Sequence, residues 1–226
     1  MLFRSVEVKA LPSSVGTQSL DLPIENLKVG KNTLEVKNED PNTLYSAELK
    51  YSREPLELKS IDSSGLKVNR KYEKLEPKWD AKQNKYVYAR KALLSAGKLQ
   101  PVTVGDMILV TLYVKSLEGR MQYVLVSDPI PAGMKALDER NLSITGVSSS
   151  DNYYDWNYWY SGRDIRDERV DLYAYSLQGT QTMQYILRAQ TPGRYTALPA
   201  NASLMYDPEV MGQSAASTFT IRDRGQ

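Results

Sequence analysis

The sequence predicts an all-β protein: an antiparallel, immunoglobulin-like β-sandwich with a second, smaller β-module before it. Two observations predict this fold. Short segments of alternating apolar and polar residues follow one another along the 226 residues, and glycine, proline or charged turns separate them. Helical periodicity is weak, and only residues 136–141 or 164–167 are expected to hold one helical turn.

The segment YVLVSDPIPAG, residues 123–133, carries the most information about the fold. It joins an alternating strand to a loop fixed by two prolines. Pro129 and Pro131 have no backbone N–H to donate, so the chain is expected to leave the sheet after Asp128. Gly133 then permits a left-handed or closely packed backbone before the next segment.

Residues 1–63 are predicted to form the smaller module, with strands at 3–9, 18–22, 32–37 and 44–51. This part holds 8 basic and 10 acidic residues, whereas residues 64–98 hold 10 basic and 3 acidic ones. Because the composition changes there, we place the boundary after Ser63. The chain begins with a strand-like pattern, so we expect the native protein to extend further towards its N-terminus.

Residues 64–226 are predicted to form the larger sandwich of two antiparallel sheets. Ten strands are expected, at residues 66–75, 85–95, 102–115, 122–128, 153–160, 170–175, 182–189, 194–198, 202–206 and 217–222. Residues 177–179 and 191–193 are expected to be turns between strands. The second of these, Thr-Pro-Gly, is typical of a type II turn.

Composition excludes several classes of function. The chain has no cysteine and no histidine, which removes thiol nucleophiles, Ser-His-Asp triads, disulfides, zinc sites and haem ligation. Carboxylate, hydroxyl, amine and guanidinium groups remain, and because no catalytic arrangement of them is evident, we predict no enzymatic activity, no metal and no cofactor. No apolar run is long enough to cross a bilayer, so we predict a soluble globular chain without direct membrane insertion.

The basic stretch at residues 67–98 has two interpretations. Its ten cations can form a phosphate-binding face, or the stretch can contain a strand with one solvent-exposed face, formed by Lys67, Asn69, Lys71 and Glu73. In the second interpretation Leu66, Val68, Tyr72 and Leu75 pack or flank the core. We favour this one and predict no nucleic-acid partner, since the net charge of the whole chain is only +2.

An aromatic cluster in the segment at residues 153–160 is a second candidate site. Its rings can bind a sugar, a base or a protein, or they can fill the core and cover the sheet edge. We favour the core interpretation, but the outward-facing rings leave a contact surface as the alternative. The cluster consists of Tyr153, Tyr154, Trp156, Tyr158, Trp159 and Tyr160.

The loop SGRDIRDER, residues 161–169, crowds carboxylates and three arginines together. Paired carboxylates can bind Ca²⁺ or act as acid and base. Each acidic residue has an arginine within three positions, and guanidinium groups repel a divalent ion. Ion pairs that support the loop are therefore the favoured interpretation.

Six segments together resemble one family. They are GLKVNRKY, VGDMILVTLYV, YVLVSDPIPAG, RDERVDLYA, YILRAQTPGRYTALPA and MYDPEVMGQS, of which the last is the most specific. With these segments the chain looks like the C-terminal macroglobulin domain, MG10-like, of bacterial alpha-2-macroglobulins over about residues 65–222. Residues 1–63 are similar to part of the CUB-like module before it.

The resemblance implies a large periplasmic or envelope-attached protein that traps host or competitor proteases after they cleave a bait region. Some members attach to the protease through a thioester between Cys and Gln. Since this chain lacks cysteine, the resemblance places no catalytic or covalent residue on it. The role left for the chain is that of a docking module, which packs against the thioester domain of the same parent polypeptide.

Six residues are the candidates for that interdomain contact. They lie in the exposed-looking loop of the MYDPEVMGQS segment and at the end of the aromatic cluster. The candidates are Tyr206, Asp207, Pro208, Glu209, Trp159 and Tyr160.

Two other interpretations stay open. The pattern of VGD, an alternating strand and DPIPAG also resembles immunoglobulin-like repeat modules of bacterial surface adhesins or stalks, although residues 1–63 and 65–226 show no internal repeat. A carbohydrate-active β-sandwich that uses Asp164 or Glu168 with the aromatic cluster is the third.

Overall fold

The computed structural model describes residues 65–82, 84–95, 98–137 and 160–225, with scattered positions between 21 and 61. The chain divides into two compact units, residues 1–50 and 51–226. The continuous described ranges all belong to the second unit. Apart from isolated positions, the strands predicted at residues 3–9, 18–22, 32–37, 44–51 and 153–160 lie outside the described residues. The boundary after Ser63 stays a prediction.

The described ranges hold β-strands and no α-helix, which confirms the predicted all-β class. The strands are β1 Leu66–Asp80, β2 Lys85–Ala92, β3 Leu94–Ser95, β4 Lys98–Leu99, β5 Val102–Thr103, β6 Met107–Pro129, β7 Met134–Leu137, β8 Gly162–Ile165, β9 Arg169–Ala189, β10 Gly193–Ala197, β11 Asn201–Leu204, β12 Met211–Gln213 and β13 Ser217–Arg222. No helix within the described residues is long and apolar enough to span a membrane.

The centre of the fold is an antiparallel ribbon of the two longest strands, β6 and β9. Its register shifts between Lys115 and Arg120, where four residues of β6 lie opposite the single Gly179 of β9. Gly119 and Gly179 have φ values of 81° and 63°, which only glycine adopts without strain. This bulge divides the ribbon into two halves.

Each half of the ribbon is the middle of one layer of the sandwich. In the first layer, β1 pairs with residues 107–116 of β6, β2 pairs with β1, and β7 pairs with the end of β9. In the second, β11 pairs with residues 124–127 of β6, β12 pairs with β11, and β8 pairs with the start of β9. All of these pairings are antiparallel.

The two layers face each other because the ribbon folds back at the bulge. Leu112 and Asp128 lie on the same strand, and a straight strand would separate them by about 50 Å. Arg70, the partner of Leu112 in the register, nevertheless forms an ion pair with Asp128. Between the layers lies one apolar core, to which both contribute fully buried side chains such as Val68, Leu112 and Leu172.

A third, three-stranded sheet closes one side of this core. In it β10 pairs antiparallel with β13, and β13 pairs parallel with β5. Phe219 of β13 is fully buried, and its ring meets the ring of Tyr72 edge-on with centroids 4.7 Å apart. An edge-to-face contact of this kind joins the small sheet to β1.

The structure corrects two details of the predicted strands. The separate strands expected at 102–115 and 122–128 are largely the single strand β6, and those expected at 170–175 and 182–189 are the single strand β9. The turn expected at residues 177–179 was therefore wrong. Glycine marks both turns and bulges, and here Gly179 takes its left-handed conformation opposite the β6 bulge while pairing continues on both sides.

Other expectations are confirmed. Strand β6 ends at Pro129, as its prolines predicted, and β13 has the predicted bounds. Leu66, Val68, Tyr72 and Leu75 are all buried, as expected if the basic stretch contains a strand with one solvent-exposed face. Ile61 forms a β-bridge with Gln213, so the residues before the sandwich pair with its β12 edge.

Candidate docking surface

The turn between β11 and β12 carries four of the six candidate contact residues, Tyr206, Asp207, Pro208 and Glu209. All four are exposed, and Tyr206 is the most exposed large hydrophobic residue among the described residues, at 82%. The backbone N–H of Val210 donates to Asp207 O over 3.1 Å, which closes the turn. The structure thus brings these four candidates together on one protruding tip.

The other two candidates do not join this tip. Tyr160 is only partly exposed and packs against the main core. Trp159 lies outside the described residues. Four of the six candidates therefore share the exposed β11–β12 turn, and the Tyr160 ring lies elsewhere.

Two tyrosines that the sequence analysis did not name lie beside Tyr206. The rings of Tyr123 and Tyr206 meet edge-on with centroids 5.3 Å apart, and those of Tyr123 and Tyr175 do so at 5.2 Å. Tyr123 and Tyr175 lie on the outer face of the second layer, because their neighbours Val124 and Ala174 point into the core. The alternating pattern that begins at residue 123 was a usable signal for Tyr123.

The tyrosine cluster, defined as Tyr123, Tyr175 and Tyr206, is held by the backbone as well as by its rings. The N–H of Met205 donates to Tyr123 O over 2.8 Å, which ties the start of the turn to β6. Coulombic interaction with the Tyr175 phenol, followed by hydrogen bonding to it, raises the pKa of Tyr123. The Tyr175 phenol is therefore close enough to affect the ionisation of Tyr123.

Gly212 lets the hairpin of β11 and β12 approach the first layer closely. A Cβ atom at this position would lie 2.3 Å from the backbone O of Leu66. No other residue fits without a shift of one strand, since the obstructing atoms belong to the backbone. Gly212 therefore determines how closely β12 can approach β1.

A buried charged cluster lies between the layers. The Arg70 guanidinium donates to Asp128, and its Nη2 donates to Leu198 O over 2.8 Å, just before β11. The Tyr185 hydroxyl donates to the other carboxylate oxygen of Asp128 over 2.7 Å. Arg70 lies over the Tyr72 ring, 5.1 Å from its centroid. One cluster therefore joins β1, β6, β9 and the segment that leads to the hairpin of β11 and β12.

Burial dominates the ionisation of this cluster. Desolvation raises the pKa of Asp128, although Arg70 and the Tyr185 hydroxyl both favour the carboxylate. Desolvation also raises the pKa of Tyr185, and repulsion from Asp128 raises it further. For Arg70, desolvation is the largest single cause and lowers the pKa, but attraction to Asp128, Tyr72 and Tyr185 and the hydrogen bond to Asp128 together outweigh it, so the pKa is raised and Arg70 stays charged.

The loop of carboxylates and arginines is ion-paired, as the sequence predicted. Arg166 Nη2 lies 2.7 Å from Asp164 Oδ2, and Arg169 Nε lies 2.7 Å from Asp171 Oδ2. Asp171 also accepts a hydrogen bond from the Ser127 hydroxyl over 2.6 Å. Within the part of the chain that the structure describes, no group of three or more acidic side chains is arranged to hold a metal ion.

Comparison with known proteins places this arrangement in a family. The model of the bacterial alpha-2-macroglobulin MG10 domain matches residues 65–209, which is most of the described sandwich. An alpha-2-macroglobulin of Thermotoga maritima is 36% identical over 120 residues, covering 49% of this chain and 8% of that protein. The circularly permutated Ras protein 2 of Dictyostelium discoideum is 29% identical over 214 residues, covering 93% of this chain and 5% of that protein.

A solved structure shares the fold. The crystal structure of trypsin-activated alpha-2-macroglobulin from Escherichia coli matches with a TM-score of 0.53 and 23% identity, covering 73% of this chain and 11% of that one. Identity this low shows the fold alone. The chain thus spans only a small fraction of the length of the proteins that it matches.

Proposed function

This chain belongs to the bacterial alpha-2-macroglobulin family through its MG10 domain, and on that premise we propose that it is a non-catalytic docking module of a larger protease inhibitor. The module packs against the thioester domain of the same parent polypeptide. The full-length protein then traps host or competitor proteases. Its compartment is the periplasm or the cell envelope.

The observation that supports the docking role is the exposed turn inside the family-matched region. Tyr206 is 82% exposed, yet the turn that carries it is fixed by backbone hydrogen bonds to β6 and within itself. A large aromatic side chain on a rigid tip gives contact area at low entropic cost, which is typical of residues that dominate interfaces. Pro208 further restricts the backbone of the tip.

The charge of the surface supports a protein partner over a nucleic acid. Asp207 and Glu209 flank Pro208, and both are exposed. Carboxylates at the tip repel phosphate groups but can pair with lysine or arginine of a neighbouring domain. We therefore place the contact with another protein domain and expect no nucleic-acid partner.

Replacing Tyr206 with alanine in the full-length parent tests the proposal. We expect the variant to leave the latent state, the conformation before protease cleavage, faster than the unmodified protein, because an interdomain contact is lost. A native gel measures this conversion over time, and trypsin capture measures the remaining inhibitory capacity. Trp159→Ala tests the second candidate in the same way.

Tyr86→Ala is the matched control, because Tyr86 is also an exposed tyrosine, at 63%, but lies on β2. It is expected to leave latency and capture unchanged. If Tyr206→Ala and Trp159→Ala also leave both unchanged, the docking role is wrong.

A further inference from the structure

We infer that Tyr123 and Tyr175 position Tyr206, so that the docking surface is the whole tyrosine cluster and not a single side chain on a turn. This inference rests on the proposed function, and it adds two positioning residues and the chemistry of the surface they contact. It starts from the ring contacts, the backbone conformation and the graded exposure of the three side chains.

The ring geometry joins the three side chains into one unit. Tyr123 is the central ring, and it meets Tyr206 with an interplanar angle of 83° and Tyr175 with one of 82°. Both angles are edge-on contacts, in which the positive ring edge of one tyrosine meets the negative ring face of another. A side chain on an exposed turn normally samples several rotamers, and the contact with the Tyr123 ring favours the rotamer of Tyr206 that makes it.

The backbone of Tyr123 is shaped for this contact. Its φ of 57° lies in the left-handed region, which is unusual for a bulky residue inside a strand. The same residue accepts the hydrogen bond from Met205 N–H over 2.8 Å, next to Tyr206. A strained residue that both supports the turn and carries the central ring is expected where function needs a fixed geometry.

The exposure of the cluster rises towards the tip. Tyr123 is 39% exposed, Tyr175 is 56% exposed and Tyr206 is 82% exposed. The central ring is thus partly covered by the outer two, while all three still present surface to a partner. A continuous apolar surface of three rings is larger than scattered surface residues provide and is typical of an interaction site.

The chemistry of the cluster defines the surface that fits it. The rings require an apolar area, and the exposed carboxylates of Asp207 and Glu209 beside them favour lysine or arginine at its edge. The occupant that we infer is therefore an apolar area with a basic rim on the thioester domain of the same polypeptide. Since this chain covers 8% of its Thermotoga relative, most of the polypeptide that can supply it lies outside this chain.

A double-mutant cycle in the full-length parent tests the inference. Native gels give the rate at which the latent form converts for Tyr206→Ala, Tyr175→Ala and the double variant. Loss of one ring contact is expected to speed conversion about two- to tenfold for Tyr175→Ala. The effect of the double variant should be smaller than the sum of the two single effects, because Tyr175 acts in part through Tyr206.

Rescue separates positioning from general stability. Tyr175→Phe keeps the ring and should retain the unmodified rate, whereas Tyr86→Ala removes a distant exposed ring and should also leave it unchanged. Urea unfolding checks that each variant is folded. If Tyr175→Ala lowers the unfolding midpoint, Tyr175→Thr replaces it, because threonine suits a strand.

The outcomes distinguish this inference from the proposed function. If Tyr206→Ala accelerates conversion and Tyr175→Ala does not, the positioning role is wrong while the docking role stands. Additive effects of the two substitutions would also overturn it. If Tyr206→Ala itself has no effect, the inference fails, and the result for Trp159→Ala decides whether the docking role stands.

Discussion

Arg70 and Asp128 form an ion pair inside the sandwich, where their side chains are 2% and 0% exposed. The two residues come from different layers, and 58 positions of sequence separate them. Two charges removed from water are favourable only when hydrogen bonds satisfy most of their remaining groups. Tyr185 and Leu198 O provide such bonds, although Arg70 Nε is buried without a hydrogen-bond partner.

Replacing Arg70 with methionine is expected to destabilise the chain by about 3–5 kcal/mol near pH 7, because the Asp128 carboxylate stays buried without its cation. The loss should be smaller near pH 4. Without Arg70, the folded-state pKa of Asp128 rises further above the unfolded value of about 3.9, so stability is lost as the pH rises through this window. Urea unfolding at both pH values measures the difference.

The neighbouring residue supplies the control for that substitution. Lys71 pairs with Glu73 over 2.8 Å at the surface, where the Lys71 side chain is 48% exposed. Lys71→Met should cost less than about 1 kcal/mol, since exposed ion pairs contribute little. If Arg70→Met costs no more than this control, the buried pair does not stabilise the sandwich.

Because the pKa of the buried Tyr72 is raised, we expect the chain to lose stability at alkaline pH. Desolvation raises this pKa, and because the folded-state pKa lies above the unfolded value of about 10, the unfolded chain loses the proton first as the pH rises. The contribution is therefore complete below about pH 10 and is lost above it, by about 1.4 kcal/mol per pH unit.

Tyr72→Phe should reduce this alkaline loss, because the ring contacts with Phe219 and Arg70 remain while the ionisable group is removed. Urea unfolding at pH 8, 10 and 11 compares the variant with the unmodified chain. Tyr86→Phe removes the hydroxyl group from an exposed tyrosine and serves as the control. Equal slopes for the Tyr72 variant and the unmodified chain would contradict the prediction.

Alternation in the sequence was enough to predict the layers but not the contacts between them. Leu66, Val68 and Tyr72 were predicted to pack or flank the core. Arg70 lies on the same face of the alternating strand, so the sequence could have predicted a buried cation there. Its partner was not predictable, since Asp128 comes within reach only because β6 folds at its bulge. A glycine that marks a bulge looks the same in sequence as one that marks a turn, which is why β6 and β9 were each divided.

The candidate surface was predictable to a similar extent. The MYDPEVMGQS segment identified the exposed tip with Tyr206, and the structure confirms its exposure. Tyr123 and Tyr175 were missed because they lie 83 and 31 positions earlier in the chain and join Tyr206 only through the pairing of β11 with β6 and of β6 with β9. Sequence patterns show the face of a strand, whereas contacts between faces depend on register.

Gly212→Ala is expected to destabilise the chain by about 1–3 kcal/mol, because its Cβ would lie 2.3 Å from the backbone O of Leu66 and force β12 away from β1. Urea unfolding of the 226-residue chain measures the loss. Gly162→Ala is the matched control, since a Cβ there meets only the Tyr173 side chain at 3.6 Å, an ordinary contact. Alanine normally suits a strand better than glycine, so that control should be neutral or slightly stabilising. A Gly212 variant as stable as the Gly162 variant would show that the close approach of β12 to β1 is not required.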